Sequence, residues 1–324
     1  MPLALITGAT SGIGLAFAQQ LAKEGYDLLL VARSADTLSS VATDIRTTFG
    51  VGVEVLPADL ATSTGCDTVT HHLCDGVPVD LLVNNAGMAL SEPFLHNGIA
   101  AEEALLHLNV QAILRLTHAA LPGMLARRSG QIMNVSSFTA AGLSGLSTTY
   151  PASKAWILSF SEAVGRSAQL RAAGVHITAL LPGFTRTELF ERSGIETSQL
   201  RSWMWLRSQD VVASALRDLR RGKSISVPSL RYKAATWALR HLPRRLLRRM
   251  AWDLSAPKGC PVNDLRLRGI GGSQGDRRKV TRGRAGHRMA RSRRRTGSHR
   301  GVIVKTCGSV DVDHAARDSS RSTR

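Results

Sequence analysis

Short apolar runs alternate with helical segments along the first 230 residues, and this alternation restricts the fold more than any other feature. Strands that are apolar throughout and separated by helices predict a parallel sheet covered on both faces. The chain is therefore expected to be an α/β protein with a doubly wound parallel sheet, whose ligands bind at the carboxyl ends of the strands. The predicted strands are Leu3–Thr7, Asp27–Ala32, Val53–Pro57, Val79–Asn84, Gln131–Val135, Val175–Leu181 and Ser224–Val227.

Helical spacing of apolar residues fills the intervals between these strands. The fourth helix is expected to be interrupted near Pro122, and the fifth to end at Gly174. The predicted helices are Leu15–Glu24, Ala35–Phe49, Cys66–Leu73, Ala101–Arg127, Tyr150–Ala173 and Asp210–Arg221.

A glycine-rich segment, Thr7 to Gly14, follows the first strand and opens the first helix. Glycine permits sharp turns and close approach of the backbone to a phosphate, and a helix N-terminus offers N–H groups and a positive dipole end. Many loops are rich in glycine, but the position inside a βαβ unit favours a dinucleotide site over an ordinary loop. The candidate cofactor contacts are Gly8, Ser11, Gly12, Ile13 and Gly14.

The end of the second predicted strand bears on which dinucleotide would bind. Many NAD sites place a carboxylate there to accept from the ribose 2′-hydroxyl, whereas this chain reads Val31-Ala32-Arg33-Ser34. The planar fork of Arg33 matches the geometry of a 2′-phosphate, which favours NADP(H) over a merely solvated arginine at a strand exit.

Three side chains suggest acid–base chemistry. Tyr150 and Lys154 lie four residues apart on a predicted helix and so share one face. A lysine ammonium beside a phenol is expected to favour the phenolate, which would lower the tyrosine pKa from its usual value near 10. Ser137 follows the fifth strand, where its hydroxyl could bond a substrate carbonyl. Taken alone, a Tyr-x-x-x-Lys pair is common by chance and is usually structural, and Ser137 alone could be a turn residue.

Over roughly residues 3–230, the motifs of the chain and their order resemble those of the short-chain dehydrogenase/reductase family. Thr7–Gly14 resembles its TGxxxGxG motif and Asn84-Asn85-Ala86-Gly87 its NNAG element. The remaining matches are Asp59-Leu60, an adenine-contacting pair; Asn109, Ser137, Tyr150 and Lys154, the catalytic set; and Pro182-Gly183 with Thr185 and Thr187, the segment that closes over nicotinamide.

The resemblance implies a Rossmann-fold oxidoreductase that uses NADP(H) to interconvert a carbonyl and a secondary alcohol. Tyr150 would be the general acid or base, and Ser137 would stabilise the oxyanion with it. Lys154 would lower the tyrosine pKa and bind the nicotinamide ribose, and Asn109 would hold a water linked to Lys154. The family also implies pairing of the long helices 101–127 and 150–173 into a homodimer or homotetramer.

The substrate is expected to contact the segment from Glu188 to Arg207. This segment is rich in apolar residues, among them Phe190, Ile195, Trp203 and Trp205. Such side chains adapt to irregular apolar ligands, which favours a lipophilic ketone, steroid-like or with an acyl chain. Packing of the same residues against the core is an equally good interpretation of the pattern.

Charge divides the chain into three predicted regions. The net charge of +18 is made of −1 in residues 1–230, +6 in residues 231–254 and +13 in residues 255–324. The first is the α/β domain. The second is predicted to be a basic amphipathic helical segment, which either touches anionic lipid or packs across the substrate cleft. The third has no aromatic residue and no hydrophobic period, so it is predicted to be a disordered tail.

Other functions are less favoured by the sequence. The tail lacks the stacking residues of single-strand binders, which makes nucleic acid an unlikely partner, although binding to anionic lipid and a tail without selected function stay open. Cys66, His71, His72 and Cys74 resemble a metal cluster in composition but not in spacing, so no metal is expected. No signal peptide or membrane span is recognised, which predicts a cytoplasmic location. A nucleotide-binding regulator without redox chemistry is the remaining alternative.

Overall fold

Seven parallel strands form one sheet in the order β3-β2-β1-β4-β5-β6-β7. The computed structural model describes residues 1–142, 147–198 and 200–241. The order reverses between β1 and β4, which creates the crevice where doubly wound sheets bind ligands. The doubly wound parallel sheet is therefore confirmed. Its strands are β1 (Leu3–Thr7), β2 (Asp27–Ala32), β3 (Val53–Pro57), β4 (Leu81–Asn84), β5 (Gly130–Val135), β6 (Val175–Leu180) and β7 (Ile225–Ser226).

Helices connect the strands and cover both faces of the sheet. Local signals mark their ends: the Ser34 hydroxyl accepts from Thr37 N–H at the start of α2, and Gly50 ends that helix in the left-handed conformation. The helices are α1 (Gly12–Lys23), α2 (Ala35–Phe49), α3 (Ser63–Asp75), α4 (Ile99–Leu106), α5 (Ala112–Arg127), α6 (Tyr150–Gly165), α7 (Ala168–Ala172), α8 (Leu189–Arg192), α9 (Ser208–Arg220) and α10 (Leu230–His241).

The core consists of two layers, one on each face of the sheet. Along β1, Ala4 and Ile6 pack into the layer beneath α1 and α9, whereas Leu5 packs into the layer beneath α3 and α5. This alternation has the two-residue period of a strand. Because both faces are buried, the strands need no polar side, which explains their unbroken apolar runs.

Two helix predictions are corrected. Pro122 does not interrupt its helix; the irregularity lies earlier, in a π-helical turn at His107–Gln111 between α4 and α5. Such turns are frequent at functional sites, and this one contains the buried Asn109. The helix predicted over 150–173 is two helices, because the backbone turns to an extended-like conformation at Ser167, which begins α7.

The described chain ends with α10. It represents the first half of the predicted basic segment, whereas residues 242–254 and the predicted tail 255–324 lie outside the described residues. Within residues 1–142, 147–198 and 200–241, no helix is long and apolar enough to cross a bilayer.

Candidate active site

A cleft of about 800 Å³ lies at the carboxyl edge of the sheet. It spans the ends of β1 to β6 and reaches α10, so residues far apart in the sequence meet there. Two predicted site residues, Gly14 and Asn109, do not line it. Those that do are Gly8, Ser11, Gly12, Ile13, Arg33, Asp59, Leu60, Asn85, Ser137, Tyr150, Lys154, Thr185 and Thr187.

The glycine loop forms a tight cradle at the start of α1. Gly8 and Gly12 have φ angles of +67° and +56°, which side chains rarely adopt. A Cβ on Gly14 would lie 2.1 Å from the Gly8 carbonyl oxygen, so Gly14 serves helix–strand packing. Ser11 precedes α1 without capping it through its side chain, which leaves the first-turn N–H groups of α1 available to an anion.

Thr7 and Asn85 hold this cradle against the end of β4. The Thr7 hydroxyl accepts from the N–H groups of Asn85 and Ala86 at 2.9 and 3.0 Å. The Asn85 side-chain amide donates to the carbonyls of Thr7 and Gly8 at 2.9 and 3.1 Å. Asn85 therefore shapes the cleft wall through the backbone of the glycine loop.

Arg33 follows β2 and Asp59 follows β3, whereas Ser137 follows β5 on the other side of β1 and β4. Arg33 and Asp59 therefore lie at the opposite end of the cleft from the acid–base residues. Arg33 lines the cleft, is exposed and makes no ion pair with any described residue. Asp59 accepts from Ala61 N–H at 3.0 Å, which orders the turn before α3. The contact of Arg33 and Asp59 with the adenosine end of a dinucleotide stays a prediction.

Ser137 and Tyr150 meet at the end of β5. The Ser137 side chain interacts with the Tyr150 hydroxyl and lowers its pKa, and Ser137 Oγ accepts from Thr139 N–H at 3.2 Å. Tyr150 is 8% exposed, and its burial raises the pKa to about 12, against a lowering effect of the Ser137 hydrogen bond. The prediction that the phenolate would be favoured is therefore wrong for this structure. Tyr150 stays protonated near neutral pH and can donate a proton.

Lys154 shares the helix face of Tyr150, as predicted, but is itself desolvated. Its Nζ lies 5.7 Å from the centroid of the Tyr150 ring and donates to Val135 O at 3.0 Å. Burial lowers the pKa of Lys154 to about 8. The ammonium therefore stands over the ring face rather than paired with the hydroxyl, which explains why ring burial dominates the tyrosine pKa.

Asn109 lies behind the cleft rather than in it. Its side chain accepts from Met88 N–H at 2.9 Å and donates to Met88 O at 2.9 Å and to Ser153 Oγ at 3.2 Å. A Cβ on Gly87 would lie 3.2 Å from Asn109 Oδ1 and 3.4 Å from Lys154 Nζ. The π-helical turn thus brings Asn109 to the same glycine that Lys154 touches, and Gly87 leaves room for both.

A buried carboxylate that the sequence analysis did not identify anchors the tyrosine helix. Glu102, in α4, is 2% exposed and accepts from Thr149 N–H at 3.1 Å, Thr149 Oγ1 at 2.5 Å and Asn97 Nδ2 at 2.7 Å. Burial by itself would raise the pKa of Glu102, but these hydrogen bonds outweigh it and lower the pKa. The carboxylate therefore stays ionised at the N-terminus of α6, directly before Tyr150. No local motif marks this residue.

Aromatic and aliphatic side chains form the other wall of the cleft. Phe138 and Phe184 pack edge to face at 5.2 Å between ring centroids, and Phe190 lies 6.0 Å from Phe184. The segment predicted to bind substrate is divided by the fold. Leu189, Phe190, Ile195 and Leu200 line the cleft. Trp203 is 55% exposed, and Trp205 packs behind Phe184 and Phe190.

The cysteine and histidine residues of α3 do not converge. His71 pairs with Asp75 at 2.9 Å, and the Cys66 thiol donates to Leu60 O at 3.3 Å. Among the residues that the structure describes, no group of three or more histidine, cysteine, aspartate or glutamate side chains could hold a metal ion. Burial raises the pKa of Cys66, which makes it a packed thiol.

Comparison with known proteins places this site in a family. The family model described as short chain dehydrogenase matches residues 2–197. The human very-long-chain 3-oxoacyl-CoA reductase is 33% identical over 193 residues, covering 57% of this chain and 60% of that protein. The 17-beta-hydroxysteroid dehydrogenase type 3 of Mus musculus is 35% identical over 182 residues, covering 55% and 58%. The matched part thus spans about 60% of the length of these curated relatives.

One solved structure is similar to this chain in both fold and sequence. A short-chain dehydrogenase from Sphingobium yanoikuyae in complex with NADPH is 31% identical, with a TM-score of 0.68, and the match covers 81% of this chain and 99% of that one. The family model covers more than half of the chain. The chain belongs to the short-chain dehydrogenase/reductase family.

Proposed function

We propose that this protein is an NADP(H)-dependent oxidoreductase that interconverts a lipophilic ketone and its secondary alcohol. The observation that carries the proposal is that the buried residues Tyr150 and Ser137 line one cleft together with an aromatic wall. A regulator that only binds nucleotide would not need a protonated tyrosine at that position.

The cleft fits a phosphorylated dinucleotide. The glycine cradle and the N-terminus of α1 would hold the pyrophosphate, because Gly8 and Gly12 line the cleft and no side chain caps the first-turn N–H groups of α1. Arg33 would meet a 2′-phosphate, and Asp59 with Leu60 would contact the adenine. Asn85, Thr185, Thr187 and Lys154 would lie along the nicotinamide half, near the acid–base pair.

The residues of this chain would then complete the reduction. When bound, the cofactor supplies the hydride. Ser137 and Tyr150 would bond the substrate carbonyl oxygen, and Tyr150 would transfer its proton to the alkoxide that develops there. The raised pKa of Tyr150 keeps the proton in place until that charge appears. Lys154, with its pKa lowered to about 8, is able to exchange a proton near neutral pH.

A large apolar substrate is supported by the cleft wall and by the relatives. Phe138, Phe184, Leu189, Phe190 and Ile195 present carbon surface beside the reactive hydroxyls. The names of two relatives refer to a very-long-chain 3-oxoacyl thioester and to a hydroxysteroid, which share a ketone or secondary alcohol on a bulky lipophilic frame.

A ketone panel tests the proposal. Purified protein is mixed with NADPH and with small ketones, steroid ketones or 3-oxoacyl thioesters, and NADPH absorbance is followed. Turnover of a bulky ketone is expected, with a loss of about 10²–10⁴-fold in Tyr150→Phe, since that change removes only the proton donor. NADPH binding without turnover of any substrate would favour a regulatory role instead.

Partners are proposed from the exposed surface. Leu114 on α5 is 43% exposed, and Trp156 and Phe160 stack at 4.6 Å on α6, which supports pairing of these helices in a homo-oligomer. On α10, Leu230 and Trp237 are exposed beside basic residues, which supports peripheral contact with anionic lipid.

A further inference from the structure

Tyr232 of α10 lies where three segments of the site meet. Its hydroxyl accepts from Phe184 N–H at 3.0 Å and donates to Met204 O at 2.8 Å. Phe184 belongs to the closing segment (residues 182–187), and Met204 belongs to the substrate loop (residues 188–207). One side-chain oxygen therefore joins the segment beside the cofactor site to the loop that forms the substrate wall.

The surroundings of Tyr232 show that the ring is fitted to this position. A Cβ on Gly183 would lie 2.1 Å from Tyr232 Cζ, so the closing segment approaches the ring as closely as glycine allows. The Phe138 ring lies 5.4 Å from the Tyr232 ring, between centroids. Tyr232 is 8% exposed, and burial raises the pKa of its hydroxyl, which keeps it a donor to Met204 O at neutral pH.

The substrate loop also has other contacts, and these differ between its return toward α9 and its exposed part. Its return toward α9 pairs with the closing segment through Leu206 N–H to Phe184 O and Arg186 N–H to Leu206 O, at 2.8 and 3.0 Å. Farther out, Trp203 is 55% exposed and contacts Arg231, which lies on the surface of α10. Tyr232 is a buried contact between α10 and the loop, whereas the contact of Arg231 with Trp203 is exposed.

We propose that the Tyr232 hydroxyl is a positioning group that fastens the substrate loop to the closing segment, and thereby sets the affinity for a bulky ketone. This inference rests on the proposed function. Tyr232 acts through Phe184 and Met204, since its oxygen is used by their backbone groups and not by the cleft. Loss of the hydroxyl should loosen the loop and weaken substrate binding, while proton transfer by Tyr150 proceeds in the complexes that form.

Tyr232→Phe in the full chain with NADPH present tests this idea, because it removes the hydroxyl and keeps the ring. The chain has three tyrosines, so Tyr26→Phe, before β2 at the other edge of the sheet, is a matched control. Trypsin cleavage after Arg192 and Arg201 should become roughly tenfold faster in Tyr232→Phe only, the scale expected for a lost buried hydrogen bond. KM for the best ketone should rise by about the same factor, with kcat changed much less.

The outcomes separate the two proposals. Loop cleavage and KM equal to those of Tyr26→Phe would overturn the role of Tyr232, and so would a fall in kcat without a rise in KM. If the wild-type protein reduced no ketone, the proposed function would fail, while loop cleavage would still test the anchor. If Tyr232→Phe did not fold, hydrogen exchange of the wild-type protein would test the anchor: the Phe184 N–H should be protected as well as the Leu206 N–H, and rapid exchange at Phe184 alone would overturn the role of Tyr232.

Discussion

Replacement of Lys154 by methionine should show that the buried ammonium group makes the stability of this protein depend on pH. Lys154 is 5% exposed, and burial lowers its pKa from 10.5 to about 8. The folded protein therefore releases the lysine proton near pH 8, whereas the unfolded chain retains it until pH 10.5. Between these values the unfolded state binds more protons, so the free energy of unfolding rises with pH.

The size of this change in the free energy of unfolding follows from the shift in the pKa of Lys154. Each pKa unit corresponds to about 1.4 kcal/mol, and between pH 7 and pH 9.5 the wild-type protein should gain about 2 kcal/mol from this one group. Below pH 8 the lysine is charged in both states, and the slope disappears. The pKa of Tyr150, raised from 10.0 to about 12, has the opposite effect only above pH 10. Burial also raises the pKa of the Cys66 thiol, but Cys66 is common to wild type and variant, so comparing the two proteins isolates Lys154.

The assay compares urea unfolding of wild type and Lys154→Met at pH 7, 8 and 9.5. The variant also loses the hydrogen bond from Lys154 to Val135 O. Because this loss of stability is the same at every pH, it does not affect how the difference between the two proteins changes with pH. Only the wild-type protein gains stability from Lys154 as the pH rises. The free energy of unfolding of the variant minus that of wild type should therefore fall by about 2 kcal/mol from pH 7 to pH 9.5. Lys23→Met, at the exposed end of α1, should show no such trend. A difference between wild type and Lys154→Met that stays constant over this range would refute the reasoning.

Three further results are expected. Arg33→Asp should lower the affinity for NADPH relative to NADH, measured by fluorescence titration; an unchanged preference would exclude Arg33 from phosphate binding. Glu102→Gln should lower kcat about tenfold and destabilise the protein by about 1–3 kcal/mol, since the amide matches the donors of Thr149 poorly, whereas the exposed neighbour Glu103→Gln should behave as wild type in both assays. Ending the chain after residue 230 should abolish activity, because α10 lines the cleft, whereas ending it after residue 254 should leave activity and melting temperature unchanged.

Much of the site was predictable because its signals are local. The glycine spacing of residues 8–14 specifies a turn into a helix, and the spacing of Tyr150 and Lys154 places both on one helix face. The unbroken apolar runs predicted a sheet buried on both faces, and the structure has that sheet with its ligand crevice at the carboxyl edge. These inferences need only neighbouring residues and the periods of helix and strand.

Other features depend on contacts between residues that are distant along the chain. Glu102 reaches Thr149 across 47 residues, and Tyr232 reaches Phe184 across 48. Neither pairing has a periodic or motif signal, because a hydrogen bond across the fold requires only compatible groups at its two ends.

The directions of the pKa shifts of Tyr150 and Lys154 were also decided by the tertiary structure. Helix spacing suggested that Lys154 would make Tyr150 more acidic, whereas burial raised the pKa of the tyrosine to about 12 and lowered that of the lysine to about 8. The same holds for the substrate loop, where Phe190 faces the cleft and Trp203 faces solvent. Composition identifies which groups can titrate or pack, but the loss of water around each of them is set by side chains contributed from every part of the sheet.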